Sequence, residues 1–284
     1  MSSASASATA RPSRLPGDLA IWVFILAEML AFAVFFASYA FARTKNVEMF
    51  NLYQQTLDRN AGALNTLLLV TGSWFVVLAV QAAHRDDRAG VPRNIALGFL
   101  CGGGFLIVKV VEYAAKFGAG ISLSTNTFYM FYISLTFFHF MHVILGMVIL
   151  AILWVQARKG TYGSHDAHGL ESGAAYWHMV DLLWIVLFPP GLRDAMNAIL
   201  KNPAHRAWLV LLVATGITWY LGEVGAAGTA AIVAMLAIAF VKGRLVILDF
   251  MELRGAPLFW RIVLEGWLIL VSSLILLAYW LSLR

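Results

Sequence analysis

Long apolar runs separated by short polar connections dominate the hydropathy pattern of the chain. Eight runs approach the roughly 20 residues that a helix needs to cross a bilayer; they cover residues 19–42, 61–83, 94–116, 126–156, 174–190, 207–222, 226–248 and 258–282. Every backbone polar group in lipid must be bonded within the protein, so such runs predict helices. The predicted fold class is therefore all-α, a polytopic membrane helix bundle with about eight transmembrane helices.

A division into five plus three helices follows from the proline pattern. Pro189 and Pro190 end the fifth predicted helix near Phe188, because proline cannot continue a helix. A polar linker containing Pro203 comes next. We therefore predict a disordered N-terminal tail over 1–17, a five-helix bundle over 18–202 and a three-helix module over 203–284.

Composition supports a membrane protein and excludes several other classes. Of the 284 residues, 61% are hydrophobic and 12% are charged, which is about half the charged share of soluble domains. In a membrane protein, a net charge of +5 usually comes from basic residues in the loops, whose distribution reports the topology. We therefore expect no nucleic-acid partner. Cys101 is the only cysteine, which excludes an intramolecular disulfide and a thiolate metal cage.

The positions of lysine and arginine predict orientation. Over the first five helices, the N-terminal side carries Arg11, Arg14, Arg85, Arg88, Arg93, Arg158 and Lys159, and the opposite side carries Arg43, Lys45, Arg59 and Lys116. This bias predicts a cytoplasmic N-terminus. The basic loop after the seventh helix, with Lys242, Arg244, Arg254 and Arg261, conflicts with it, because counting helices places that loop on the opposite side. Either one segment does not span, or the first module overrides the second.

Ionisable residues at membrane depth are costly and usually face the bundle interior. Glu28 lies in the middle of the first apolar run, where it is either a proton-linked or lipid-contacting carboxylate or a hydrogen-bond partner of another helix. Lys109, Glu112 and Lys116 share one helical face and are expected to pair along it.

Three histidines also lie in apolar runs. His139 and His142 are three residues apart, and His178 precedes Asp181 by three. Haem or copper ligation is one hypothesis for these imidazoles. Hydrogen bonding between helices is the other, and we favour it. His178 and Asp181 are expected to pair within one helical turn, with a proton relay as the alternative.

These polar positions form motifs that resemble the cytochrome c oxidase subunit III family. The stretch "YWHMVDLLWIVLF" resembles the family's last-helix signature through Trp177, His178, Val180, Asp181 and Trp184, with Met179 in place of the usual Phe. Four further stretches resemble family helices in the family order, through Trp22, Glu28, Asn65, Glu112, Tyr113, His139, His142 and Gly146. The resemblance covers roughly residues 17 to 198.

The first two of the family's seven helices are missing here, and the five-helix form looks most like its nitric oxide reductase accessory (NorE-type) branch. The tail "VKGRLVILDFMELRGAPLFWRIVLEGWLIL" resembles the three-helix NorF-type partner, which is itself similar to prokaryotic oxidase subunit IV. The chain therefore looks like a natural fusion of two subunits.

The resemblance implies an accessory subunit of the bacterial inner membrane with no catalytic, cofactor-binding or metal-binding residue of its own. It would pack against the catalytic subunit of a haem-copper superfamily reductase, with nitric oxide reductase as the expected partner, and would bind phospholipid. The motif residues would then lie at lipid or subunit interfaces; they are Trp22, Glu28, Asn65, Glu112, Tyr113, His139, His142, Trp177, His178, Asp181 and Trp184.

Two other functions remain open. One is subunit III of an oxygen-reducing cytochrome c or quinol oxidase. The other is a proton-coupled transporter that uses Glu28, Lys109, Glu112 and Asp181. The two halves show no repeat of their helix pattern, which counts against the transporter.

Overall fold

The computed structural model describes residues 15–187, 203–223, 229–251 and 253–281, and these residues are helical almost throughout. The helices are α1 Leu19–Lys45, α2 Val47–Gln54, α3 Arg59–His84, α4 Gly90–Gly118, α5 Thr127–Arg158, α6 His168–Leu187, α7 Pro203–Glu223, α8 Thr229–Leu245 and α9 Leu258–Leu281. This confirms the all-α helix bundle. Most of the predicted tail and the linker with Pro189 and Pro190 lie outside the described residues.

Side-chain caps fix where the helices of the first module begin. Asp18 accepts a hydrogen bond from the backbone N–H of Ala20 at the start of α1, and Asp58 and Asn126 cap α3 and α5 in the same way. Such caps satisfy backbone donors that have no partner within the helix. The predicted apolar runs therefore stop within a few residues of most of the observed helix ends.

The eight predicted segments all fall on helices, but within the described residues five helices are long and apolar enough to cross a membrane. These are α1, Asn60–His84 of α3, α4, α5 and Leu258–Ala278 of α9. The other three predicted segments correspond to α6, α7 and α8. In α6 the residues from Gly173 to Ile185 are all buried. A helix enclosed by other helices can carry polar side chains that a lipid-facing helix cannot.

Two elements were not predicted. The short helix α2 lies in the connection after α1, where Phe50 packs edge-on against Tyr39 and Phe128 in a small second core. In addition, α8 continues as a π-helical turn over Val246–Phe250, past the predicted end at residue 248.

The last three helices pack directly on the first module and share one hydrophobic core with it. Helix α6 contacts α1, α3 and α5, and it also contacts α8 and the π-helical turn. Helix α7 packs on α3, and α9 packs on α1. A hydrogen bond from Trp267 Nε1 to the carbonyl oxygen of Met29, 2.8 Å long, joins α9 to α1. Helix α6 is therefore covered by both modules.

The turn between α8 and α9 lies on the same side of the bundle as the N-terminus. The ring centroids of Trp22 and Trp260, near the starts of α1 and α9, are 5.9 Å apart. Phe250 lies 5.7 Å from the ring of His178, in the N-terminal half of α6. The basic turn of the second module therefore lies on the side that also carries most of the basic residues of the first five helices. Lys242 itself is buried in the bundle.

Candidate functional site in the bundle core

Helix α6 turns its polar motif residues inward. Trp177, His178, Asp181 and Trp184 are each at most 1% exposed. The indole N–H of Trp184 donates to the hydroxyl of Thr66 on α3, with an Nε1–Oγ1 distance of 2.9 Å. Its ring also lies edge-on to Phe105 of α4, at 4.9 Å between centroids. These contacts fix the rotation of α6 relative to α3 and α4.

Trp177 fits because glycines face it on two neighbouring helices. A Cβ atom at Gly102 of α4 would lie 2.6 Å from the Trp177 ring, and one at Gly146 of α5 would lie 2.9 Å from it. Both distances are below any ordinary carbon contact. Glycine therefore allows α4 and α5 to approach α6 at the level of this indole, as small residues commonly do in membrane bundles.

Glu28 and His142 form a hydrogen bond between α1 and α5. The distance from Glu28 Oε2 to His142 Nε2 is 2.9 Å, and His142 Nδ1 lies 2.7 Å from the carbonyl oxygen of Phe138. A carbonyl only accepts, so Nδ1 carries a proton. The Glu28–His142 contact then holds one further proton, as a carboxylic acid with a neutral imidazole or as a carboxylate with an imidazolium. Glu28 is therefore a hydrogen-bond partner of another helix.

Residues 28 and 142 lie far apart in the chain, so no local pattern could have paired them. In the sequence, Glu28 and His142 are recognisable only as polar side chains within apolar runs. Their pairing depends on how α1 and α5 rotate against each other, which tertiary packing decides.

Three motif side chains near Trp184 and Thr66 or on α6, namely His139, Asn65 and Trp177, have buried polar atoms without hydrogen bonds among the described residues. His139 of α5 is fully buried between the rings of Phe105 and Trp184, at 5.7 and 5.2 Å between centroids, and neither of its ring nitrogens has a hydrogen-bond partner. The side-chain amide of Asn65 on α3 is likewise buried and unpaired. The structure shows no polar contact that would explain either His139 or Asn65.

Glu112 and Tyr113 join α4 to α5. Lys109 Nζ lies 2.9 Å from Glu112 Oε2, and the hydroxyl of Tyr132 on α5 donates to the other oxygen of Glu112. Tyr113 donates to Thr136 at 2.9 Å. The predicted Lys109–Glu112 pair is thus confirmed. It is not at the surface, because Lys109 is 1% exposed and lies 5.2 Å from the Trp184 ring centroid.

The predicted pairing of His178 with Asp181 is wrong. Among the described residues, neither the ring nitrogens of His178 nor the carboxylate oxygens of Asp181 complete a hydrogen bond. His178 packs against Phe250 instead. Asp181 interacts electrostatically with Lys242 of α8 and lies beside Ser73 of α3. Two side chains on one turn can project toward different neighbouring helices, and here both reach toward the second module.

The fold and this site define a class of protein. The chain is a multi-pass helical membrane protein in which several polar side chains connect its own helices. Within the described residues, no group of three or more His, Cys, Asp or Glu side chains is placed to hold a metal ion.

Comparison with known proteins gives the family. The cytochrome c oxidase subunit III family matches residues 17–189, and the prokaryotic cytochrome c oxidase subunit IV family matches residues 206–276. The chain therefore belongs to the cytochrome c oxidase subunit III family and carries a subunit IV-like region after it. The resemblance identified from the motifs is confirmed at this level.

Several relatives support the assignment. Cytochrome c oxidase subunit 3 of Thermostichus vulcanus is 31% identical over 171 residues, which cover 60% of this chain and 83% of the relative. The probable subunit 3 of Rickettsia felis is 31% identical over 195 residues, covering 62% and 68%. Heme-copper oxidase subunit I+III of Aeropyrum pernix is 29% identical over 176 residues, covering 60% of this chain and 22% of the relative.

Proposed function

We propose that the chain is a non-catalytic accessory subunit of a haem-copper oxidase superfamily complex, located in the bacterial cytoplasmic membrane with its N-terminus in the cytoplasm. One observation carries the proposal: in a member of the subunit III family, three of the polar motif residues bind to other side chains of the same chain. Glu28 bonds to His142, Glu112 to Lys109 and Trp184 to Thr66. Groups used in this way fix helices in place.

The outward faces of α4 and α5 suit a partner subunit or lipid. Ile107, Val111 and Phe137 are among the large apolar side chains exposed there. Exposed apolar surface of this kind contacts lipid or packs on another membrane helix. The name of the Aeropyrum pernix relative places subunits I and III in one chain, which supports a subunit I-type partner for this protein.

Two partner complexes are compatible with the proposal. Nitric oxide reductase is our first candidate, because the five-helix form and the fused three-helix tail resemble its accessory proteins. An oxygen-reducing terminal oxidase is the second, and the names of the relatives and of the C-terminal family favour it. In either complex we propose that the chain supports assembly, stability or sustained turnover, with the motif residues at helix, lipid or subunit contacts.

Affinity purification from native membranes tests the proposal. The full chain carries a tag and is extracted in mild detergent, and the proteins that co-purify are identified. We expect a haem-bearing catalytic subunit of the superfamily. Purification of the chain alone from cells that express both reductases would contradict the accessory role.

A deletion strain then separates the two partners. Loss or faster decline of nitric oxide consumption, with normal oxygen consumption, would support nitric oxide reductase. The reverse result would assign the chain to an oxygen reductase. Unchanged rates and unchanged amounts of both enzymes would contradict the proposal.

A further inference from the structure

A basic pocket lies in the second module, away from the polar core. Its volume is about 370 Å³, and it opens between the end of α8, the turn that follows and the first turn of α9. Arg244, Arg254 and Arg261 line it together with Val241, Leu245 and Leu248. One wall is thus cationic and the other is apolar.

Among the described residues, carboxylates pair with two of the three arginines in this pocket. Arg254 is held by Asp249, with Nε–Oδ1 and Nη2–Oδ2 distances of 2.5 and 3.1 Å. Arg244 lies at ion-pair distance from Glu265, 3.5 Å between Nε and Oε1. Arg261 lies four residues before Glu265 on α9. Its Nε is buried and has no hydrogen-bond partner among the described residues.

The surroundings place the pocket at the membrane surface. Leu258, Phe259 and Ile262 in the first turns of α9 are more than 60% exposed, and large apolar side chains at such positions face lipid in a membrane protein. The pocket lies on the same side as the N-terminus, as Trp22 and Trp260 show. On the proposed topology this is the cytoplasmic leaflet, where anionic lipids attract basic residues.

We propose that this pocket binds the phosphate of an anionic phospholipid. Guanidinium groups present forked donors that match phosphate oxygens, and among the described residues the Nε of Arg261 has no hydrogen-bond partner. The acyl chains run along the apolar wall formed by Val241, Leu245 and Leu248. The lipid would attach the second module to the leaflet. The site does not depend on which reductase is the partner.

Lipid retention by the purified full chain tests the site. The protein is exchanged into micelles that contain phosphatidylglycerol or phosphatidylcholine, and bound lipid is counted by native mass spectrometry. We expect selective retention of phosphatidylglycerol. Arg261→Gln should weaken it about fivefold, since one basic residue near an anionic membrane surface contributes roughly that factor. Arg261→Lys should have a smaller effect, because it keeps the charge and loses the fork.

Arg85→Gln is the matched control, because Arg85 is an exposed basic residue on the same side of the bundle. The thermal midpoint of each variant in detergent without lipid verifies that it is folded.

Equal retention of both lipids, or equal losses in Arg261→Gln and Arg85→Gln, would overturn the proposal. Equal stabilisation by inorganic phosphate alone would show a free-anion site. Occupation only when the catalytic subunit is present would assign the pocket to an acidic segment of that subunit. Either of these results would also overturn it.

Discussion

At the scale of single residues, the packing around Trp177 depends on which nearby positions lack a side chain. Gly102 and Gly146 leave space for the indole, whereas a Cβ atom at Gly103 would lie 3.9 Å from the nearest atom, the Cε of Met147. Gly102 and Gly103, which are adjacent on α4, thus differ in whether a larger side chain could be accommodated. The sequence shows the glycines, but their partner ring becomes clear only when α4, α5 and α6 are assembled.

Alanine substitutions test this packing. Gly146→Ala and Gly102→Ala should each lower the free energy of unfolding by about 1–3 kcal/mol, because an added methyl group would overlap the Trp177 ring. Gly103→Ala should be neutral or stabilising, since alanine favours helix by about 1 kcal/mol over glycine. Thermal unfolding of the three variants in one detergent provides the comparison. Equal effects at all three positions would contradict the packing of Trp177.

The Glu28–His142 hydrogen bond is a second feature of this scale. Glu28→Ala should destabilise the bundle by about 1–3 kcal/mol, because it leaves a buried ring nitrogen unpaired. A double-mutant cycle with His142→Ala should give a coupling energy of about 0.6 to 1.7 kcal/mol, the range for hydrogen bonds between membrane helices. Glu28→Gln keeps a side chain that can bond to the imidazole, so it should be milder than Glu28→Ala. A coupling energy of zero would show that the two groups do not interact.

At the scale of helices, the sequence predicted where the helices lie along the chain better than it predicted which of them are buried. Most of the predicted ends agree with the observed helices because caps and prolines act locally. The burial of α6 was not predictable in the same way, because it depends on helices from both modules. The side of the turn after α8 was left open, because the helix count and the distribution of basic residues gave opposite answers.

Asp181 and Lys242 connect α6 with α8 across the two modules. Both are at most 1% exposed, and they interact electrostatically. Gly243 allows this approach, because a Cβ atom there would lie 3.3 Å from Leu182 of α6. Burying an ionisable group is unfavourable, and an opposite charge nearby offsets part of that cost. The pair is therefore expected to set the register of the second module on the first.

A double-mutant cycle on this pair tests the docking of the modules. Asp181→Asn and Lys242→Gln should each lower the free energy of unfolding by about 0.5–3 kcal/mol, because each removes one side of an electrostatic interaction between buried groups. The double variant should recover much of that loss, since it removes both charges. Lys159→Gln, at an exposed position, is the control and should change stability little. Additive losses in the double variant would rule out the pair, as measured by thermal unfolding in detergent.

At the scale of the whole molecule, two families meet in one chain and form one core. The motifs identified the first family from sequence because its polar residues recur at fixed places in apolar helices. The second module covers α1, α3 and α6 of the first, and this arrangement could not be read from either family alone. The pairing of Glu28 with His142 and of Asp181 with Lys242 depends on the assembled bundle, so sequence reasoning could only propose that such residues had partners.

The central claim is that this chain serves a redox centre held by another subunit. The visible absorption spectrum of the tagged chain tests it most directly, recorded first in the co-purified complex and again after the partner has been dissociated. We expect a haem Soret band in the complex and none in the separated, still folded chain. A stoichiometric haem band retained by the separated chain would contradict it.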